Sequence, residues 1–194
     1  MIKLERKNSI LLSAEEIFAE KGFFSTSVAD IIKHAGIARG TFYLYFDSKK
    51  TIFDTLLDDL LASVTHAIKR IDINASPDPL TQLKDNIMRI ATLLNKRRNL
   101  TKILLTYATG IDEDSDKKIH SFYQQILKLI ESALILGTEM AILRPCKAKL
   151  VASCILGSIK EVAHSFINMT NPVDDIEVVV DEIIQFALVG LLIH

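Results

Sequence analysis

Between Ala38 and Lys50 the chain gathers a guanidinium, three hydroxyls and two ammonium groups on Arg39, Thr41, Tyr43, Tyr45, Lys49 and Lys50. These groups hydrogen-bond phosphate oxygens and base edges. An arginine makes a bidentate contact to guanine O6 and N7 worth about 1–3 kcal/mol of discrimination. The Tyr43 and Tyr45 phenols sit on long rigid arms suited to phosphate, and Thr41 offers a hydroxyl to phosphate or a methyl to thymine. Gly40 leaves the backbone bare where a duplex needs close approach. Lys49 and Lys50 fall in the first turn of a helix starting at Ser48, where the helix dipole disfavours cations. A phosphate placed there would reverse that sign.

No comparable set of groups supports catalysis or metal binding. Glu161 and His164 have the Glu-x-x-His spacing of di-iron bundles, but such sites need a second pair and two further glutamates, and no second Glu-x-x-His exists. The remaining histidines lack zinc-ligand spacing, and there is no phosphate-binding glycine loop and no nucleophile elbow. Cys146 and Cys154, if on one helix, stand about 12 Å apart, beyond the roughly 7 Å limit for a disulfide; they are expected as free, mostly buried thiols. The expectation is no enzyme, no metal and no cofactor.

The elements that must position the polar groups are helices, since helical periodicity runs through almost every segment. A first helix from about Glu5 to Lys21 carries the stripe Ile10, Ala14, Ile17 and Phe18 and ends at Gly22. Ser27 with Asp30 forms a capping box for a second, closed by Gly36. The third spans about Ala38 to Phe46, with Phe42 and Phe46 on its inner face. Short helix, glycine turn, short helix is the pattern of a DNA-binding helix-turn-helix, whose second helix presents its N-terminal end to bases. A long helix from Ser48 to about Ile71 follows, then a loop over residues 72–79. Further helices are expected over Leu80–Asn95, Leu100–Thr109, Asp116–Leu136, Lys147–Asn168 and Val173–Leu192, punctuated by Gly110, Gly137 and Pro172. The expected fold is all-α with about nine helices: a helix-turn-helix head over residues 1–47 and a helical effector-binding and dimerisation body over 48–194.

Gly22, Phe23, Thr26, Ser27, Val28, Ile31, Ala35, Gly36, Ile37, Gly40, Thr41, Tyr43, Tyr45, Phe46, Ser48 and Lys49 together resemble the head of the TetR family of bacterial transcriptional repressors. The match is dense and ungapped and covers the first quarter of the chain. The resemblance implies that Ser27, Thr41, Tyr43, Tyr45 and Lys49 hold phosphates, while Arg39 and Gly40 face bases. It also implies a homodimer on a pseudo-palindromic double-stranded DNA operator and a small-molecule effector held among the fourth to eighth helices, releasing it from DNA. Ile32 replaces the usual small alanine, and Ala29 stands where some members place a base-reading side chain, so readout should lean on the third helix.

The bulk properties bear on the body. Among 194 residues the net charge is −1; the first 50 residues carry eight Lys or Arg against six Asp or Glu, a mildly positive head. The hydrophobic fraction is 49% and the mean hydropathy +0.26. No unbroken apolar run reaches the roughly 18 residues that span a bilayer, so no membrane partner and a cytoplasmic location are expected. The excess apolar surface instead needs a subunit interface and a cavity. The last two helices are the expected four-helix dimer seam, through Val151, Ile155, Ile159, Val162, Ile184, Leu188 and Leu191. Met88, Tyr107 and Tyr123, apolar with polar or adaptable tips, are the preferred cavity lining, for an apolar or amphipathic effector. The alternative is a DNA-binding architectural or adaptor protein with a filled core and no ligand.

Overall fold

The computed structural model describes residues 2–168, 176–189 and 191. Its regular elements are all helical: α1 (Ile2–Lys21), α2 (Val28–Ala35), α3 (Arg39–Tyr43), α4 (Lys49–Ala67), α5 (Pro79–Lys96), α6 (Arg98–Lys102), α7 (Glu113–Glu139), α8 (Ala148–Asn168) and α9 (Ile176–Val189). The α6 helix continues into π-helical turns over Ile103–Tyr107. The all-α expectation and its nine helices hold among the described residues. The expected limits of the last helix, Val173 and Leu192, and the break at Pro172 lie outside them.

Local hydrogen bonds set most helix starts. At α2, Ser27 Oγ accepts from the Asp30 amide at 3.1 Å while the Asp30 carboxylate accepts from the Ser27 amide at 2.8 Å. Both exposed amides are thereby satisfied. Ser48, Asp78 and Asp112 cap α4, α5 and α7 through their side-chain oxygens, and Pro79 occupies the first turn of α5. Gly36 ends α2 with φ of 62°, a left-handed conformation that favours glycine.

Packing then joins head to body. Ile10, Ala14, Ile17 and Phe18 are buried as α1's stripe predicts. The Phe18, Phe23 and Phe53 rings pack with centroids 5.2 to 6.2 Å apart. The same cluster runs on through α4 to Leu100, Ile103, Leu104 and Phe122, so no gap in packing separates residues 1–47 from the rest. A second cluster, around Leu134, Leu143, Ala152 and Leu191, ties the far ends of α7 and α8 together.

Several boundaries differ from expectation, each for a tertiary reason. The α4 helix stops at Ala67 rather than Ile71, because the buried Asn86 side chain accepts from the Lys69 amide and donates to the Lys69 carbonyl, both at 2.8 Å. The Arg89 Nε also donates to the Ala67 carbonyl at 3.2 Å. The α7 helix runs past Gly137 to Glu139, and the left-handed residue beyond it is Ala141, with φ of 54°. Gly137 is needed for closeness instead: a Cβ there would lie 2.7 Å from Leu143 Cδ1. The run of α8 over Ala148–Ile167 has a mean hydropathy of 1.4, so by length and composition it does reach the spanning range. Its serines, glycine, Lys149, Lys160, Glu161 and His164 interrupt the apolar run without making the helix polar. Only 6% of that window is buried within the subunit.

Candidate nucleic-acid interface and ligand cavity

The buried Phe42 sets the orientation of α3. With Phe42 against Phe46 at 6.4 Å, the opposite side of this short helix is left outward. Arg39, Gly40 and Tyr43 are exposed, and Thr41 and Tyr45 are half-buried. Arg39 stands over the Tyr43 ring at 5.8 Å, and none of the Thr41, Tyr43 and Tyr45 hydroxyls is bonded to a described residue. One continuous surface therefore carries a guanidinium and three available hydroxyls. The exposed Lys7, whose ammonium lies 5.7 Å from the Phe46 centroid, adds a cation beside it. Sequence reasoning confined to residues 26–50 did not include it; only the packing of α1 onto Phe46 brings it there.

Two of the expected phosphate contacts are occupied within the chain. Ser27 Oγ donates to Asp30 at 2.6 Å, and that bond and the Ser27 amide hold the Asp30 carboxyl below its ordinary range. The Lys49 ammonium donates to the carbonyls of Phe23 at 2.8 Å, Thr26 at 2.7 Å and Phe24 at 3.4 Å. It also lies 4.5 Å from the Phe23 ring centroid, and burial pushes it below the usual lysine value. An ammonium has three donors, so the anion inferred from its place at a helix N-terminus is replaced by carbonyls of the α1–α2 loop. Lys50 finds true anions: Asp54 at 2.5 Å and Asp112 at 3.0 Å. Burial alone would depress Lys50, but these two carboxylates carry it above its ordinary value. Asp112, held by the Ser115 amide and then by Lys50, is lowered to about 2. Lys50 thus clasps the start of α4 to the start of α7.

A substitution separates these roles. Lys49→Met should cost about 1–3 kcal/mol in urea denaturation, because loop carbonyls lose their donor. The slope of log affinity for DNA against log salt should stay as in the native protein. A slope lowered by about one charge, with stability intact, would restore the phosphate contact.

Behind the head, a cavity of about 210 Å³ opens among α4 to α9. Tyr123 lines it, as expected; Met88 and Tyr107 do not. Met88 is half-buried on α5 away from the opening. Tyr107, at the end of the π turns, packs instead on the head, where a Cβ on Gly22 would be 3.4 Å from its ring. The lining that sequence reasoning missed includes Val64, Leu94, Thr101, Leu104, Phe122 and Phe166. The apolar types of all but Thr101, whose hydroxyl is satisfied by backbone carbonyls, carry no signal distinguishing cavity from filled core.

The expected dimer residues are half-covered within the subunit, apart from the buried Leu191. Val151, Ile155, Leu188 and Leu191 belong to the second cluster, and Ile159 and Val162 line the cavity. Ile184 is half-buried. The apolar side chains left open lie one helical step round: Leu150 at 61%, Val178 at 53% and Phe186 at 76% exposure. Cys154 shares that face and is exposed, while Cys146 is half-buried in the loop before α8; both thiols are free.

A capped three-helix reading unit on a helical body with an apolar cavity is the architecture of a helix-turn-helix regulator. Residues 10–56 match the family described as bacterial regulatory proteins, tetR family. The HTH-type transcriptional regulator YvdT of Bacillus subtilis (strain 168) is 30% identical over 182 residues, covering 91% of this chain and 90% of that protein. The fatty acid metabolism regulator protein of the same organism is 23% identical over 183 residues, covering 94% and 93%. The solved structure of the fatty acid degradation regulator FadR from Bacillus halodurans superposes with a TM-score of 0.75 at 24% identity, covering 95% of each chain. This chain belongs to the TetR family of bacterial transcriptional regulators, which are not enzymes.

Proposed function

We propose that this protein is a cytoplasmic transcriptional repressor that binds a pseudo-palindromic operator as a homodimer and is released by a small apolar or amphipathic effector. The observation that carries this reading is the outward surface of α3, where Arg39, Tyr43 and unbonded hydroxyls stand over a buried Phe42. Arg39 and Gly40 face base edges; Thr41, Tyr43 and Tyr45 reach phosphates; Ser27 and Lys49 shape the loop that presents them. Residues 1–47 are the reading head and 48–194 the sensing and dimerisation body, a division of labour over one continuous core.

The cavity favours an effector over the adaptor alternative, which calls for a filled core. Val64 of α4 lines the cavity, and the start of α4 is clasped by Lys50 and Asp112. Leu104 and Leu105 line it from the π turns, and Tyr107, a turn further, touches Gly22 in the head. An effector that prefers one arrangement of these walls shifts the population of head spacings. The test begins with DNA fragments selected by the purified protein. Arg39→Ala should lose about 1–3 kcal/mol of discrimination between the selected operator and its single-base variants. Equal discrimination by the two proteins would remove Arg39 from base readout, and failure to select any sequence would sink the repressor reading.

A further inference from the structure

The walls of the cavity are lopsided in charge. Of the described side chains that line it, Asn95, Arg98, Thr101, Tyr123 and Lys160 carry polar atoms, and none of the described ones is an aspartate or glutamate. Thr101 is spent internally, its hydroxyl directed to the Leu94 and Arg97 carbonyls at 2.9 and 3.0 Å. Arg98 donates to the carbonyls of Phe166 and Ile167 at 2.9 Å, closing the end of α8. Lys160 differs from both. It lines the cavity yet is exposed, which places it at the opening. Its ammonium lies 4.2 Å from the Tyr123 ring centroid, and no carboxylate of a described residue lies within ion-pair distance. The Tyr123 hydroxyl likewise makes no hydrogen bond to the described residues, although burial pushes the phenol above its usual value.

We propose that the cavity takes a single-chain amphiphile with an anionic head, the chain lying among Leu94, Leu104, Phe122 and Ile126 and the head meeting Lys160 beside the Tyr123 hydroxyl. The physical reasoning is that of a two-zone site. Deeper walls without polar atoms gain from burying methylenes, at about 0.8 kcal/mol each. An ammonium at the rim, already resting on an aromatic face, gains a charge-assisted bond when a carboxylate arrives. A neutral head forgoes that bond, and a cationic head meets the Lys160 ammonium at the opening. This inference rests on the cavity being the effector site, and the test keeps the two claims apart.

Laurate, 1-dodecanol and dodecyltrimethylammonium share one chain length and differ in head charge. Titrated below their micelle concentrations into the full-length protein by calorimetry, laurate should bind about tenfold more tightly than dodecanol, a difference of about 1.4 kcal/mol. The cation should bind weakest. Lys160→Met should bring laurate to the dodecanol level while leaving dodecanol unchanged, and Lys160→Arg should restore the preference. Equal affinity for laurate and dodecanol in the native protein, or a preference for laurate that survives Lys160→Met, overturns the anionic head while leaving the apolar site standing. Binding of none of the three overturns the cavity as an effector site, and this proposal with it.

Discussion

Replacing Phe42 with alanine should cost about 3–5 kcal/mol of stability and abolish operator binding at once. Phe42 is fully buried and lies 6.4 Å from Phe46 and 5.2 Å from the Tyr43 ring. The α3 helix is only five residues long, far short of what holds a helix together unaided. Its N-cap, Ala38, supplies no side-chain bond, so its orientation leans chiefly on that ring and on Phe46 beside it. Removing the ring leaves a cavity of phenyl size and frees the helix that presents Arg39. Urea denaturation monitored by circular dichroism measures the loss, with Leu44→Ala as the control. Leu44 is 77% exposed, so its truncation should change stability by no more than about 0.5 kcal/mol. If Phe42→Ala cost under about 1 kcal/mol, the head would have to be held by something other than this packing.

How much of this was legible before any coordinates depends on the range of the interaction. The Ser27–Asp30 box, the Gly36 turn and the Phe42–Phe46 pair act within four residues, and each stands where its pattern placed it. The end of α4 did not, because the group that stops it, Asn86, is 17 residues from Lys69. Lys49 shows the same limit more sharply. Its position in a first turn signalled an unmet electrostatic need, and that need is real; the carbonyls meeting it belong to Phe23 and Thr26, more than 20 residues earlier. The dimer seam turns on register. In α8 the apolar residues are dense enough that Val151, Ile155, Ile159 and Val162 make as good a stripe as any, and only the contacts with α7 and the cavity show that this stripe is already half-covered within the subunit. Tyr123 was reached from its mixed chemistry, while Tyr107, of the same type, serves the head because Gly22 leaves room for its ring.

That displaced register carries the second large effect. With that stripe half-covered within the subunit, we place the proposed two-fold contact on the exposed apolar side chains of α8 and α9, Leu150, Val178 and Phe186, with exposed Cys154 and the open side of Gly157 on α8. Phe186 is 76% exposed, and covering such a side chain is worth about 1.5–3 kcal/mol. A two-fold interface repeats every residue, so Phe186→Asp removes two rings and buries two carboxylates facing apolar surface, each costing several kcal/mol if unpaired. Dimer dissociation should strengthen by at least about a hundredfold, roughly 2.7 kcal/mol. Sedimentation at micromolar concentration should then find a species near the 21.7 kDa of one chain. Operator affinity should collapse with it, since one head engages only one half-site and the second contact no longer benefits from linkage. Ile73→Asp, on an exposed loop residue that belongs to neither α8 nor α9, should leave both mass and affinity unchanged. A Phe186→Asp protein that stays dimeric and holds its operator would place the twin's contact elsewhere, and the apolar exposure of α8 and α9 would need another occupant.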